Sequence, residues 1–189
     1  MWRTRVGYAG GDRQDPTYQS LGDQSECIQI DFDPTVISYE ELVDLMFALH
    51  DPSADPGYAQ YRSLILTSDD EQLAIAHERA EAVSAELGKP LATRIEPLKE
   101  FWPAEDYHQK YYLRNDRTLL SQFRGMLGGS ELELRDSTAA MRVNGYVAGA
   151  GTRARLEGEL DSFGLSDSAR THLFSLVGET ASGSACPLP

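Results

Sequence analysis

The sequence describes an acidic chain of 189 residues, with a formal net charge of −13 and an isoelectric point near 4.6. An excess of carboxylates repels nucleic-acid backbones and anionic membrane surfaces, so neither is expected as a partner. No apolar run is long enough to span a bilayer and no signal peptide precedes Trp2, which indicates a cytoplasmic protein. The only cysteines, Cys27 and Cys186, have no zinc or CxxC spacing, so no metal, cofactor or disulfide framework is expected.

The chain begins with two predicted strands, over residues 3–9 and 27–33. In the second strand, alternating apolar residues predict one face that packs on helices, and they are Ile28, Ile30 and Phe32. Between the strands, three glycines in Gly7–Gly11 allow a sharp turn and close backbone approach.

Two polar side chains follow this turn, Tyr18 and Glu26. A phenol and a protonated carboxyl group at the mouth of a strand can donate hydrogen bonds to a polarised oxygen. The residues alone also allow a simpler interpretation, in which Tyr18 packs in a turn and Glu26 is an exposed strand charge.

Two helices are predicted next, each with a capping signal at its start. Ser38 and Glu41 form a capping box for the first helix. Its stripe of apolar residues is interpreted as core, and the members are Leu42, Leu45, Met46 and Leu49. Ser68 with Glu71 caps the second helix, which ends at Gly88.

Strands over residues 61–67 and 93–97 complete the pattern, which predicts an α+β sandwich with helices on one face of a mixed or antiparallel sheet. Further along, helices are predicted within three segments that each begin with an N-cap residue, namely 137–149, 152–163 and 166–177. The Gly/Ser-rich tail from 181 to 189 is expected to be disordered.

Several motifs in this order resemble peptide methionine sulfoxide reductase A. The motifs are Val6-Gly7-Tyr8-Ala9-Gly10-Gly11, Pro16-Thr17-Tyr18, Glu26, Asp33-Pro34, Ile37-Ser38-Tyr39-Glu40, His50-Asp51-Pro52, Gln60-Tyr61-Arg62-Ser63 and Ala104-Glu105-Asp106-Tyr107-His108-Gln109. A later run, Ser137 to Tyr146, resembles a C-terminal extension in one branch of that family.

The resemblance implies a ferredoxin-like α/β sandwich core over residues 1–115, a helical extension over 116–178 and a tail over 179–189. It also implies a departure, because the family's nucleophilic cysteine lies in a Gly-Cys-Phe-Trp motif that precedes the segment matching Met1–Thr4. The first strand, the nucleophile and the first helix are therefore expected to be missing, as a misplaced start codon would produce.

The implied activity is thiol-dependent reduction of methionine (S)-sulfoxide, free or in proteins, for repair of oxidative damage. In that reaction a thiolate attacks sulfur while the sulfoxide oxygen is protonated, and thioredoxin finally supplies the electrons. Glu26 matches the family's acid, and Tyr18 and Tyr61 match the tyrosines that hydrogen-bond the substrate oxygen. A glutamate partly buried among aromatics would hold its proton toward neutral pH. Tyr61 as a sheet residue packing on its neighbours is the plain alternative.

Two further departures concern the neighbours of these residues. The family has an aspartate where this chain has Pro56, and Asp55 lies one position away. The family's His-Ala-Glu is replaced by Gln24-Ser25-Glu26, which keeps the acid and changes the two residues before it.

The two cysteines are expected to behave differently. Cys27 is interpreted as a small buried residue whose pKa is raised by Glu26, which makes it a poor nucleophile. Cys186 lies in a tail with glycine and serine neighbours, and the resemblance implies a recycling thiol there, while a stray thiol in a disordered end is the plain alternative. An alternative function for the whole chain is a catalytically dead protein that binds methionine sulfoxide or a partner.

Overall fold

The computed structural model describes residues 1–179, and in this part the strands form two separate sheets. Three strands in the order β2-β1-β5 form the first sheet, in which β1 and β5 are antiparallel. The second sheet pairs β3 with β4 in parallel. The elements up to this point are β1 (Arg3–Ala9), β2 (Ser25–Asp31), α1 (Tyr39–Ala48), a 3₁₀ turn (Ala59–Tyr61), β3 (Leu64–Thr67), α2 (Asp70–Leu87), β4 (Arg94–Pro97) and β5 (Phe101–Pro103). The protein is thus a mixed α/β fold, as the sequence predicts at that level.

The chain divides into two compact units. The first contains Met1–Trp2 and Val6–Glu105, and the second contains Arg3–Arg5 and the chain from Asp106 onward. The boundary at residue 115 that the sequence suggests for the end of the core stays a prediction.

The capping box predicted for α1 is confirmed. The Ser38 hydroxyl accepts from Glu41 N at 3.1 Å, and the Glu41 carboxylate accepts from Ser38 N at 2.8 Å. The predicted apolar stripe is confirmed at Met46, which packs on the core, and is wrong at Leu45 and Leu49, which are exposed, while Val43 and Phe47 are buried. The face of α1 that packs with α2 and β3 is formed by Tyr39, Val43, Met46 and Phe47. The buried face is therefore turned about the helix axis from the predicted one.

Two other boundaries differ from the prediction, and a third agrees with it. Asp69 is the N-cap of α2 and accepts from Gln72 N at 2.8 Å, so Ser68 is not the cap. The strand expected to begin at Tyr61 begins at Leu64, because Tyr61 lies in the 3₁₀ turn. The end of α2 at Gly88 is confirmed, with φ of +66° in the left-handed region.

Apart from Arg3–Arg5, which belong to β1, the described part of the second unit is helical and has one buried cluster. The three predicted N-caps are confirmed at Ser137, Thr152 and Ser166, whereas α3 to α5 were not separately predicted. The helices are α3 (Tyr111–Asn115), α4 (Arg117–Met126), α5 (Glu131–Asp136), α6 (Thr138–Val147), α7 (Arg153–Glu159) and α8 (Asp167–Leu176), with a 3₁₀ turn at Leu160–Phe163. None of the helices within residues 1–179 is long and apolar enough to cross a membrane.

Candidate active site

The loop after β1 is held by side chains that precede β2. Gln24 is almost fully buried, accepts from Gly11 N at 2.9 Å and donates to Arg13 O at 2.8 Å. The carboxylate of Asp23 accepts from the backbone N–H groups of Asp12 and Arg13, which lower its pKa from the usual value. The glycine-rich loop therefore has a fixed backbone against the start of β2.

Glycine at position 7 is required by close packing. A Cβ at Gly7 would overlap the ring of Phe101 and the carbonyl of Trp102, two residues of β5 that run alongside it in the sheet. Glycine at this position of β1 thus allows β5 to pack closely against it.

Tyr18 is anchored through its backbone by Glu105. Its N–H donates to Glu105 Oε1 at 3.1 Å, and the hydroxyl of buried Tyr8 donates to Glu105 Oε2 at 2.6 Å. The ring of Tyr18 is partly buried and packs on a small cluster formed by Tyr8, Leu21 and Ala104. One carboxylate thus joins the end of β1, the loop that carries Tyr18 and the segment after β5.

Glu26 is exposed and lies beside the turn that carries Tyr61. Gln60 Nε2 donates to Glu26 Oε1 at 2.6 Å. The expectation that Glu26 is partly buried among aromatic rings is wrong for the described chain, because the space next to it is open. Tyr61 is 43% exposed and belongs to the 3₁₀ turn, so it is not a sheet residue packed on its neighbours.

An open cleft of about 520 Å³ runs between β2 and β3. Glu26, Cys27 and Tyr61 lie along it, whereas Tyr18 is not among its lining residues. Its apolar lining comes from both strands and from α1, including Ile28, Ile30, Phe32, Leu42, Val43, Met46 and Leu64. The prediction that the apolar face of β2 packs on helices is therefore wrong at Ile28, which is 58% exposed because it faces this cleft.

The hydroxyl of Tyr39 is an unusual feature of the cleft. It is buried and has no hydrogen-bond partner within the described residues. Burial raises the pKa of this phenol, with a smaller contribution from Asp69. A buried hydroxyl without a hydrogen-bond partner lowers the stability of the folded protein. The Tyr39 hydroxyl is therefore a hydrogen-bonding group in the cleft that the described residues leave unsatisfied.

Cys27 also lies along the cleft and has the expected low reactivity. Burial raises the pKa of its thiol to about 11, and the negative charge of Glu26 adds to the rise. Burial is the larger cause, where the sequence had indicated Glu26. The thiolate is the nucleophilic form of cysteine, so a thiol with its pKa raised this far is mostly protonated at neutral pH and is a poor nucleophile.

Asp55 does not reach the cleft. It is exposed, and its carboxylate accepts from Gly57 N at 2.9 Å, which closes a local turn. Its one-position offset from the family's aspartate therefore places it in a different role. His50 contacts Met46 O and Ser63 Oγ, and within residues 1–179 no group of three or more His, Cys, Asp or Glu is arranged to hold a metal.

Sequence reasoning missed the residues that hold the site together, which are Ser25, Gln60 and Glu105. Gln60 and Glu105 fall in the recognised motifs, but no local pattern indicates which side chains they contact. Cys186, the remaining predicted site residue, lies outside the described residues.

Comparison with known proteins agrees with the motifs. The sequence model of the peptide methionine sulfoxide reductase family matches residues 1–131. A peptide methionine sulfoxide reductase of Drosophila melanogaster is 40% identical over 91% of this chain and 69% of its own length. Peptide methionine sulfoxide reductase A5 of Oryza sativa subsp. japonica is 37% identical over 84% of this chain and 65% of its own length.

Among solved structures, the reduced form of Mxr1 from Saccharomyces cerevisiae is similar to this chain, with a TM-score of 0.56 and 32% sequence identity. The match covers 60% of this chain and 71% of the Mxr1 chain. The chain belongs to the peptide methionine sulfoxide reductase A family, a family of oxidoreductases. It spans about two thirds of the length of the curated relatives described above.

Proposed function

We propose that this chain is the main part of an enzyme that reduces methionine (S)-sulfoxide, free or in proteins, to methionine. The observation that carries the proposal is that Glu26 and Tyr61, which match the family's acid and one of its oxygen-binding tyrosines, border the same cleft. Thioredoxin is the proposed source of electrons and the cytoplasm the proposed location. The acidic surface, with a net charge of −13, argues against nucleic acid or an anionic membrane as partners.

The cleft is the proposed place for a missing β-strand. β2 is the outermost strand of its sheet, β3 is one of only two strands in the other, and strand pairing within residues 1–179 does not join them. A strand between β2 and β3 would join both sheets, cover the apolar lining of the cleft and complete a ferredoxin-like sandwich. Sequence upstream of Met1 is the proposed source of this strand and of the nucleophilic cysteine.

The proposed chemistry divides the work between this cysteine and the residues of the chain. The thiolate attacks the sulfoxide sulfur, and the oxygen is protonated by Glu26 and held by Tyr18 and Tyr61. The hydroxyl oxygen then moves from the methionine sulfur to the cysteine sulfur as the bond between the two sulfurs breaks, so that methionine leaves and the cysteine becomes a sulfenic acid. A second thiol then forms a disulfide and releases water, and thioredoxin reduces that disulfide. Overall, one sulfoxide and two thiols give one thioether, one disulfide and one water.

Cys186 is the proposed second thiol. It lies in the sequence Ser182-Gly183-Ser184-Ala185-Cys186-Pro187, beyond a proposed helical extension over residues 116–178. Changing Cys186→Ser in the extended enzyme should abolish thioredoxin-dependent turnover and leave dithiothreitol-dependent turnover largely intact, because dithiothreitol reaches the sulfenic acid directly. Cys27→Ala is the matched control. Full thioredoxin-dependent turnover by Cys186→Ser would remove Cys186 from the mechanism.

The central test compares the 189-residue chain with a form extended upstream to include the Gly-Cys-Phe-Trp-like motif. With dithiothreitol and each epimer of a methionine sulfoxide peptide, only the extended form should turn over, and only with the S epimer. The extended form should also melt at a higher temperature, because the added strand covers the cleft. Turnover by the short form, equal melting temperatures, or an inert extended form would contradict the proposal.

A binding protein remains the second candidate, because the one cysteine within the described residues, Cys27, has a pKa raised to about 11. Calorimetry with methionine sulfoxide separates the two functions. Binding by the short chain, together with an extended form that binds and does not turn over, would favour the binder.

A further inference from the structure

Two consecutive residues of β2 are bonded to the turn that carries Tyr61. Ser25 is fully buried, and its hydroxyl donates to Ala59 O at 2.6 Å. The next residue, Glu26, accepts from Gln60 Nε2, also at 2.6 Å. Ala59 and Gln60 are the two residues directly before Tyr61 in the 3₁₀ turn.

This turn has little other support. Its internal hydrogen bonds are long, since Tyr61 N to Tyr58 O and Arg62 N to Ala59 O both measure 3.3 Å. Short 3₁₀ turns have poor hydrogen-bond geometry and depend on their surroundings. Tyr61 itself is 43% exposed, so packing of its ring fixes its position only in part.

We propose that Ser25 and Gln60 are positioning residues that hold the Tyr61 hydroxyl in place relative to the Glu26 carboxyl. The proposal rests on the function proposed above, in which these two groups act on one substrate oxygen. Ser25 fixes the backbone of the turn, while Gln60 orients the carboxyl group. Both contacts join the turn to the first two residues of β2, so the distance between the acid and the phenol is set locally.

Both residues should affect kcat more than KM. Ser25→Ala frees the turn and should lower kcat of the extended enzyme by about 3- to 10-fold with little change in KM, because the loss of one hydrogen bond displaces a group needed in the transition state. Gln60→Leu removes the N–H donor that orients the Glu26 carboxyl group. It should therefore lower kcat by a similar factor, again with little change in KM.

Matched controls exist in the second unit. Ser162 donates to the backbone oxygen of Glu159 at 2.6 Å, the same type and length of bond as at Ser25. Gln122 is a hydrogen-bonded glutamine that accepts from Ser166 N at 3.2 Å. Ser162→Ala and Gln122→Leu should leave kcat and KM unchanged.

Hydrogen exchange tests the same coupling without activity. In the 189-residue chain, Ser25→Ala should increase the exchange rates of the amides of residues 59–62 several-fold, because the turn opens more often. Ser162→Ala should leave those rates unchanged. An inactive parent enzyme would refute the proposed function, and exchange would still decide this inference. Unchanged exchange in Ser25→Ala, or an active parent whose kcat is unchanged by both substitutions, would overturn it.

Discussion

The two units of the chain differ in how their cores are closed. The first unit has two small buried clusters, one around Tyr8 and one around Phe47, together with an open cleft of about 520 Å³. The second unit has one continuous cluster to which all of its longer helices contribute. The open unit carries the candidate site and the closed unit carries the larger core, so changes in the two units should have separable effects on turnover and on stability.

The largest expected effect belongs to the open unit and to turnover. Glu26→Gln in the extended enzyme should reduce kcat by roughly 10² to 10⁴-fold, because an amide cannot deliver a proton to the leaving oxygen. Tyr61→Phe should cost less, since a second donor shares the oxygen. The free energy of unfolding should not change in Glu26→Gln, because the side chain is exposed. Activity within a few-fold of the parent would show that another group is the acid.

Core truncation compares the two units directly in stability. Phe123→Ala in the second unit should lower the free energy of unfolding by about 3 to 5 kcal/mol, because the side chain is only 1% exposed. Phe47 lies in a smaller cluster, and Phe47→Ala should cost less because the neighbouring open side leaves fewer contacts to lose. Urea unfolding followed by circular dichroism measures both. Equal losses would show that the cleft does not weaken the first core.

The reactivity of Cys27 is the next expected effect. With a pKa raised to about 11, its thiolate fraction at pH 7.5 should be lower than that of an ordinary cysteine by roughly a hundredfold. In the Cys186→Ser variant, iodoacetamide should alkylate Cys27 more slowly than it alkylates glutathione, by about that factor. Peptide mass spectrometry measures the alkylation rate at Cys27. Rapid alkylation would mean that the strand bearing Cys27 opens readily to solvent.

The smallest effect concerns an ion pair of the second unit. Arg5 Nε donates to Asp136 Oδ1 at 2.7 Å, and this bond lowers the pKa of Asp136. A lowered folded-state pKa stabilises the protein above the unfolded-state value near 4, and the contribution is lost as pH falls through the lower folded value. Asp136→Asn should cost at most about 1 kcal/mol at pH 7, and the cost should shrink as the pH falls below the unfolded-state value. A cost independent of pH would indicate packing instead of charge.

Capping residues and glycines could be predicted from the sequence because their causes are local. Ser38 with Glu41 and Gly88 each act within a few residues of the chain, and each was found as expected. The rotation of α1 could not be predicted, because the choice between its two apolar faces depends on α2 and β3. The candidate site could also be predicted only in part. Resemblance of short motifs indicated Glu26 and Tyr61 as site residues. The hydrogen bonds made by Ser25 and Gln60 could not be predicted, because each joins residues 34 positions apart in the chain.

The position of Glu105 sets a limit on how the chain can be shortened. It is the last residue of the first unit, and its carboxylate binds Tyr8 and the backbone of Tyr18. A chain cut one residue earlier would leave the buried Tyr8 hydroxyl without this acceptor and the Tyr18 loop without its anchor. Protease cleavage after Glu105 would spare these bonds, whereas cleavage before it would separate the Tyr18 loop from the carboxylate that accepts from its backbone.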